Sequence, residues 1–258
     1  MDEFLTKDPP AIVYDNTLTN LEGIEDLLIG AYAELDGVVD NINFESAGSN
    51  WMWGDVYADD AYKGSEVGDQ AEIDDIERYK LSPINFFYLF KWKAVYDGIS
   101  RCNDVIRVTI LAFEKGNINQ KQSTAFLAEA RFLRAYYHLE AIKMWDFIPY
   151  INEDNLDGLV KNHPSSPVSN AGDMKWGDLG GDGYIPWAEV ESDFRFSMEN
   201  LSYPPRNIGR AHQYAAAGLL AKTKKANELF NKLNSKVNSD FKIKTKEFNK
   251  NIKLPNFL

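Results

Sequence analysis

The chain has 258 residues, 44% of them hydrophobic, which is enough to bury a core and excludes disorder by composition. Lys and Arg number 28 against 39 Asp and Glu, a net charge of −11, so the basic footprint that a nucleic-acid partner needs is missing. No stretch approaches the roughly 18 consecutive apolar residues of a membrane-spanning helix, and the one cysteine, Cys102, excludes an internal disulfide framework and a cysteine-rich zinc site.

The N-terminus, Met1 to Pro10, has neither a basic n-region nor an apolar h-region, so no secretion signal is visible. A cytoplasmic protein and a mature chain whose signal has been removed both fit. Thr19 and Glu22 read as a capping box that opens a first helix. Leu21, Ile24, Leu27, Leu28, Ala31, Tyr32 and Leu35 follow at helical spacing, and Gly37 ends the run. A loop is expected from about 38 to 82. Ser82-Pro83 then opens a second helix that runs to about Phe113 and stops at Gly116. Its apolar residues cover most of its circumference, so it is expected to be central and buried, with Cys102 as a small buried hydrophobe.

A third helix spans about Ser123 to Trp145. Phe126, Ala130, Leu133, Tyr137, Ala141 and Met144 form one stripe at steps of 4, 3, 4, 4 and 3, and Pro149 ends it. Two long helices with a short polar link make an antiparallel hairpin, the unit of helical-repeat proteins. Residues 150–185 read as a long loop, and a loop of that length is often functional. Pro186 opens a fourth helix carrying Trp187, Val190, Phe194, Met198 and Leu201, and Tyr203-Pro204-Pro205 breaks it. A fifth begins near Ile208-Gly209-Arg210 and shows a small-residue face, Ala211, Ala215 and Gly218, suited to close helix contact. No amphipathic strand pattern is present, so the expected fold is all-α, built of stacked hairpins with long loops.

Little of the usual catalytic chemistry is present. His138, His163 and His212 lie far apart and in no metal-binding spacing; His138 shares a helical face with Arg131 and Arg134 and is expected to be structural. The glycines of 177–183 lack the strand, lysine and helix of a phosphate-binding loop. Asp154 to Gly158 resembles part of a calcium loop, but Pro164 stands where the bidentate glutamate belongs. Asp59-Asp60 and Asp74-Asp75 are sequence neighbours, whereas a glycosidase pair must face across a sugar. Neither a metal nor a cofactor is expected.

The segment Ser49 to Gly64 is different. It holds Trp51, Trp53, Tyr57 and Tyr62 with Asn50, Asp55, Asp59 and Asp60. Aromatic rings offer flat apolar faces to the C–H groups of a sugar, and Asn and Asp take its hydroxyls. Asn50, Trp51, Trp53, Asp59, Asp60 and Tyr62 are therefore the candidate ligand-binding residues. The competing reading is that both indoles plug the core beneath the loop.

Several segments resemble the SusD/RagB family of outer-membrane nutrient-binding lipoproteins. Asp2 to Pro10 is similar to the family's mature start after its lipidated cysteine, and Gly30-Ala31-Tyr32 matches a "GAY" that ends the first helix. Trp53-Gly54-Asp55 through Gly64 looks like the "GD…SDDA" loop. The strongest match is Ala128 to Tyr137, the "AEARFLRA-Y" helix. Trp145 to Tyr150 stands at a "G-D-P" turn, 184–201 resembles the family's next helix, and Gly209-Arg210-Ala211 through Ala221 its "GRA" helix. The resemblance implies tetratricopeptide-like hairpins and a non-catalytic, lipid-anchored glycan-binding protein at the cell surface. It implies a partner, a TonB-dependent transporter of the SusC type, and contact with it through the acidic helical body. A helical glycosidase and a protein-interaction scaffold are the other classes.

The resemblance stops near Lys222, short of the family's C-terminal half. Residues 1–221 carry 18 Lys/Arg and 36 Asp/Glu, whereas 222–258 carry ten Lys and three acids. Residues 1–221 are thus expected to form the SusD-like N-terminal domain and 222–258 a divergent Lys/Asn-rich tail. A lost reading frame near Lys222 and a natural basic tail both produce such a composition.

Overall fold

The structure, a computed structural model, describes residues 15–36, 51–80, 82, 84–145, 148–154 and 185–251. The expectations for residues 2–10, Gly37, Pro83, Asp146, Phe147 and 155–184, His163 among them, lie outside the described residues. Among the described residues all regular structure is helical: α1 (Asp15–Leu18), α2 (Leu21–Ala33), α3 (Ala71–Glu77), α4 (Phe86–Glu114), α5 (Gln120–Trp145), α6 (Trp187–Asn200) and α7 (Gln213–Asn251).

The caps differ from the sequence reading in an instructive way. Asn20, not Thr19, caps α2: its backbone is extended and its Oδ1 accepts the Gly23 N–H at 3.0 Å, while Thr19 lies buried one residue outside the helix. Asn85 caps α4 by accepting the Phe87 N–H at 3.0 Å, so the helix starts at Phe86 rather than at Ser82-Pro83. The third helix starts a turn earlier than Ser123. Asn119 Oδ1 accepts the Gln122 N–H at 3.0 Å and Gln122 Oε1 accepts the Asn119 N–H at 2.9 Å, a reciprocal box built from amides. Gly116, at φ 72°, closes α4 in the left-handed conformation that glycine adopts without strain.

Helices α4 and α5 form the expected antiparallel hairpin. Lys91 pairs with Glu140, Gly98 lies against Tyr137 and Asn103 meets Arg134, so positions advance along one helix as they recede along the other. Between them Ile99, Cys102, Val105, Ile106, Leu133 and Ile142 are buried with Ile24 and Leu28 of α2. Burial pushes the Cys102 thiol well above its ordinary pKa, so it is an inert core residue. The Tyr137 hydroxyl donates to the Ala31 carbonyl at 2.7 Å and pins α2 to the hairpin. Helix α6 packs on α5 through Val190, Phe194 and Ser197, and α7 packs on α6.

The small-residue face expected on the fifth helix is not its contact face. The helix begins at Gln213, so Ala211 precedes it, Gly218 faces open space, and the buried positions are Ala216, Leu220 and Thr223. The backbone of α7 is helical through Lys222 to Asn251, so the composition change falls inside one helix.

Two glycines in helices give opposite expectations. A Cβ built at Gly98 stands 2.6–2.7 Å from three carbons of the buried Tyr137 ring, whereas one at Gly218 meets nothing within 4 Å. Alanine gains about 1 kcal/mol of helix propensity over glycine at either site, and overpacking a buried contact costs about 1–3 kcal/mol. Gly218→Ala is expected to stabilise by about 0.5–1 kcal/mol and Gly98→Ala to destabilise by up to about 2 kcal/mol. Urea unfolding followed by circular dichroism reads both, and shifts of the same sign contradict the Tyr137 contact.

Candidate functional site

The site is built on residues 51–80, which are more ordered than the loop expected there. Met52–Val56 form a single π-helical turn, and Ala71–Glu77 form α3. Met52, Val56, Ile73 and Ile76 meet Phe87 of α4 in a small core of their own, separate from the main one. Asn85 Nδ2 donates to the Glu72 carbonyl at 3.0 Å, and the Lys63 ammonium pairs with Asp74 at 3.0 Å and donates to the Asp69 carbonyl. Asp59, Gln70 and Tyr79 hold φ of 65°, 45° and 55°. Such conformations cost on the order of 1 kcal/mol each and persist where surrounding packing imposes them, often at functional segments.

This platform places most of the sequence-predicted residues. Trp51, Trp53 and Ala61 pack on the small core, and both indoles are half-buried. Trp53 lies 4.6 Å from the Tyr88 ring, and its Nε1 is buried with no acceptor among the described residues. Asp59 and Asp60 are exposed on the turn after the π-helix, and Tyr62 is 73% exposed. Asn50 lies outside the described residues. The indoles thus plug the platform on one side while Tyr62 projects into solvent.

The structure adds aromatics that the sequence reading left in the core. Trp53 leads through Tyr88 to Trp145 at 6.4 Å, then to Trp92 at 5.0 Å and Tyr96 at 4.4 Å. Tyr88, Trp92 and Tyr96 are spaced by four on α4, all half-buried, and that stripe was the available signal. Tyr57 and Tyr79 form an edge-on pair at 5.1 Å, both exposed, with the Tyr79 hydroxyl donating to the Tyr57 carbonyl at 2.9 Å. On α4, the buried Lys91 ammonium lies 3.5 Å from Glu140, which also pairs with Lys143 at 2.5 Å. Burial pulls Lys91 below its ordinary pKa and Glu140 opposes this.

A second group of polar residues is structural. Arg134, 3% exposed, forks onto Asp193 with bonds of 2.7 and 3.0 Å, donates to Asn103 at 2.9 Å and pairs with Glu153. Burial opposes the guanidinium charge, and Asp193 more than offsets it, raising the Arg134 pKa. Burial likewise opposes the Glu153 charge, but Arg134 holds that carboxyl below its usual range. His138 is fully buried, with Nδ1 3.0 Å from the Arg134 carbonyl and Nε2 accepting the Ile151 N–H at 3.4 Å. Those contacts define a neutral ring protonated on Nδ1. Burial and then Arg134 lower its pKa to about 3. The structural role expected of His138 is what is found. Arg131, Arg134, Tyr150, Asn152, Glu189 and Asp193 line an open cavity of about 380 Å³ above this network.

Motif residues from three separate segments also meet. The Tyr32 hydroxyl donates to Glu129 at 2.9 Å and accepts the Ala211 N–H at 2.9 Å, and Glu129 takes Arg206 at 3.0 Å and Arg210 at 3.3 Å. Glu129 is 2% exposed. These residues hold the 206–211 turn onto α2 and α5, a structural rather than a ligand-contacting role. Among the described residues no group of three or more His, Cys, Asp or Glu side chains is placed to hold a metal ion, and no helix is long and apolar enough to cross a membrane.

The architecture is that of an all-helical, tetratricopeptide-like scaffold of stacked hairpins, and it is similar to that of several known proteins. No protein-family model matches the chain. A SusD-like protein of Bacteroides ovatus is 28% identical over 131 residues, 51% of this chain and 21% of that protein. Surface glycan-binding protein A from Bacteroides fluxus superposes with a TM-score of 0.59 at 23% identity, over 86% of this chain and 44% of that one. A SusD superfamily protein from Bacteroides vulgatus gives 0.58 at 16% identity, over 83% and 41%. A laminarin-binding SusD-like protein gives 0.53 at 18% identity, over 79% and 40%. The fold is SusD-like, and the matched segment of sequence is similar to that of a SusD-like protein. The chain spans less than half the length of these solved relatives.

Proposed function

We propose that this chain supplies the N-terminal, aromatic part of a non-catalytic surface glycan-binding protein. The observation that carries the reading is the platform of residues 51–80, which holds Trp51, Trp53, Tyr57, Tyr62 and Tyr79 at or near the surface together with Asp59 and Asp60. Flat rings stack on the apolar faces of pyranoses, and exposed carboxylates accept hydrogen bonds from sugar hydroxyls. Two of the structurally similar proteins, one surface glycan-binding and one laminarin-binding, support the same class. Asn50 belongs to this proposed set by its place in the sequence.

In this reading the complete protein sits at the outer-membrane surface through a lipid anchor and hands glycan to a SusC-type TonB-dependent transporter. Its test is whether the full-length protein, extracted from outer membranes, carries such a transporter with it.

Ligand contact is tested by titrating a panel of polysaccharides into the protein. Loss of one stacking ring is worth about 0.5–1.5 kcal/mol, so Tyr62→Ala is expected to weaken binding roughly three- to tenfold with an unchanged circular dichroism spectrum. Trp53→Ala is expected to do at least as much. Unchanged affinity in both variants removes these rings from the site. Reducing-sugar release by the pure protein, abolished by one Asp or Glu substitution, overturns the non-catalytic reading.

A further inference from the structure

We infer that the aromatic platform selects uncharged glycans and rejects those bearing uronate or sulfate groups. The inference rests on the glycan-binding reading above and adds the charge class of the ligand. Residues 51–80 contain nine Asp and Glu against three Lys and Arg, a net charge of −6 on 30 residues. Three of the carboxylates, Asp55, Asp59 and Asp60, lie between Trp53 and Tyr62 and are solvent-exposed. No hydrogen bond or ion pair to their side chains is present among the described residues.

No Lys or Arg lies between Trp53 and Tyr62, and of the three in residues 51–80, Arg78 and Lys80 are exposed on either side of Tyr79 in the sequence. Lys63 is held by Asp74 and the Asp69 carbonyl. On α4 and α5, Lys91 and Lys143 both serve Glu140, and Lys93 lies at the Phe90 ring, 6.0 Å from its centroid. Recognition of a carboxylate or sulfate uses arginine forks or converging N–H donors. Here the charged groups between Trp53 and Tyr62 are carboxylates alone, and these are acceptors only. They take hydroxyl donors from a neutral sugar and repel an anion over the short range that physiological salt permits.

The test pairs neutral polysaccharides with their own anionic derivatives: laminarin, dextran and xyloglucan, each with its carboxymethylated or sulfated form. Titrations are run in EDTA, so that no divalent cation bridges acid to acid, at 20 mM and at 500 mM NaCl. At low salt the derivative is expected to bind at least tenfold more weakly than its parent, and the gap is expected to narrow at high salt. The Asp55→Asn/Asp59→Asn/Asp60→Asn variant is expected to narrow the same ratio, in which hydroxyl contacts common to both ligands cancel. A derivative that binds as tightly as its parent, or a gap that neither salt nor the triple variant changes, overturns the inference while leaving glycan binding in place. Failure of every polymer, neutral and anionic, to bind overturns the glycan-binding reading itself, and the charge selection falls with it.

Discussion

Arg134→Ala is expected to remove about 3–5 kcal/mol of stability, a large part of what a domain of this size possesses. The cost lies in the groups left behind. Asp193 is 4% exposed and its carboxylate takes both branches of the guanidinium fork, so truncation leaves a nearly buried charge whose remaining cation is Arg131, 3.9 Å away. Asn103 and Glu153 lose a partner at the same time, one on α4 and one on the segment after α5. Arg134→Lys is not conservative here, because one ammonium cannot reproduce the fork. The pair itself is a different matter: replacing both members with apolar residues removes the desolvation cost along with the attraction. Arg134→Met/Asp193→Leu is therefore expected to recover most of the loss. Urea unfolding of the wild type, both single variants and the double variant reads this directly. A single variant that loses less than about 1 kcal/mol, or a double variant no better than the worse single, contradicts the buried geometry.

Arg134 also marks what the sequence could and could not reveal. That it lies on a long helix was readable from the Phe126-to-Met144 stripe, and the antiparallel partner followed from the short link. That its partner is Asp193, 59 positions away on α6, was not, because nothing local encodes a tertiary ion pair. The helix starts show a similar boundary. Asn20, Asn85 and Asn119 are the caps, and each became identifiable only once the backbone showed which residue is extended beside the first helical turn. The π-turn and the seven-residue α3 are too short to carry a periodic signal, and they are held by docking on Phe87 rather than by propensity. In the candidate site, Trp51, Trp53 and Tyr62 stood out as aromatics amid polar residues. Tyr88, Trp92 and Tyr96 did not, since aromatic rings at every fourth position of a helix read equally well as core. The small residues of α7 misled for a related reason. They recur at a plausible spacing, but the side that is buried depends on where the helix begins.

Acidification from pH 6.5 to 4.5 is expected to destabilise the protein by about 2–3 kcal/mol through His138 alone. The imidazole is fully buried, its Nε2 occupied by the Ile151 N–H, and its pKa is lowered to about 3 from an ordinary value of 6.5. The charged and titratable groups around it add no compensation for a second proton. Arg134 of α5 is cationic and repels it, and Tyr150, tilted against the ring at 4.6 Å, is neutral throughout this range, burial raising its pKa further. Glu153 and Asp193 are already drawn to Arg134. Below pH 6.5 the unfolded chain binds a proton at His138 that the folded chain refuses. Stability falls with pH by up to about 1.4 kcal/mol per unit until the folded imidazole itself titrates near pH 3. Glu153 adds to the loss only further down: its folded pKa is depressed, so its contribution is present above the ordinary carboxylate range and disappears as pH falls below it. The interval from 6.5 to 4.5 therefore isolates the histidine. His138→Gln removes the titration and is expected to flatten the stability–pH curve across that interval, even though the variant is less stable at pH 7. When His138 does protonate, Ile151 loses its acceptor and Arg134 gains a like charge beside it, so the 148–154 segment is expected to be the first to open. Amide exchange at Ile151, measured at pH 6.5 and 4.5, should report that local opening before the global transition, and equal protection of Ile151 at the two pH values, after correction for intrinsic rates, contradicts it.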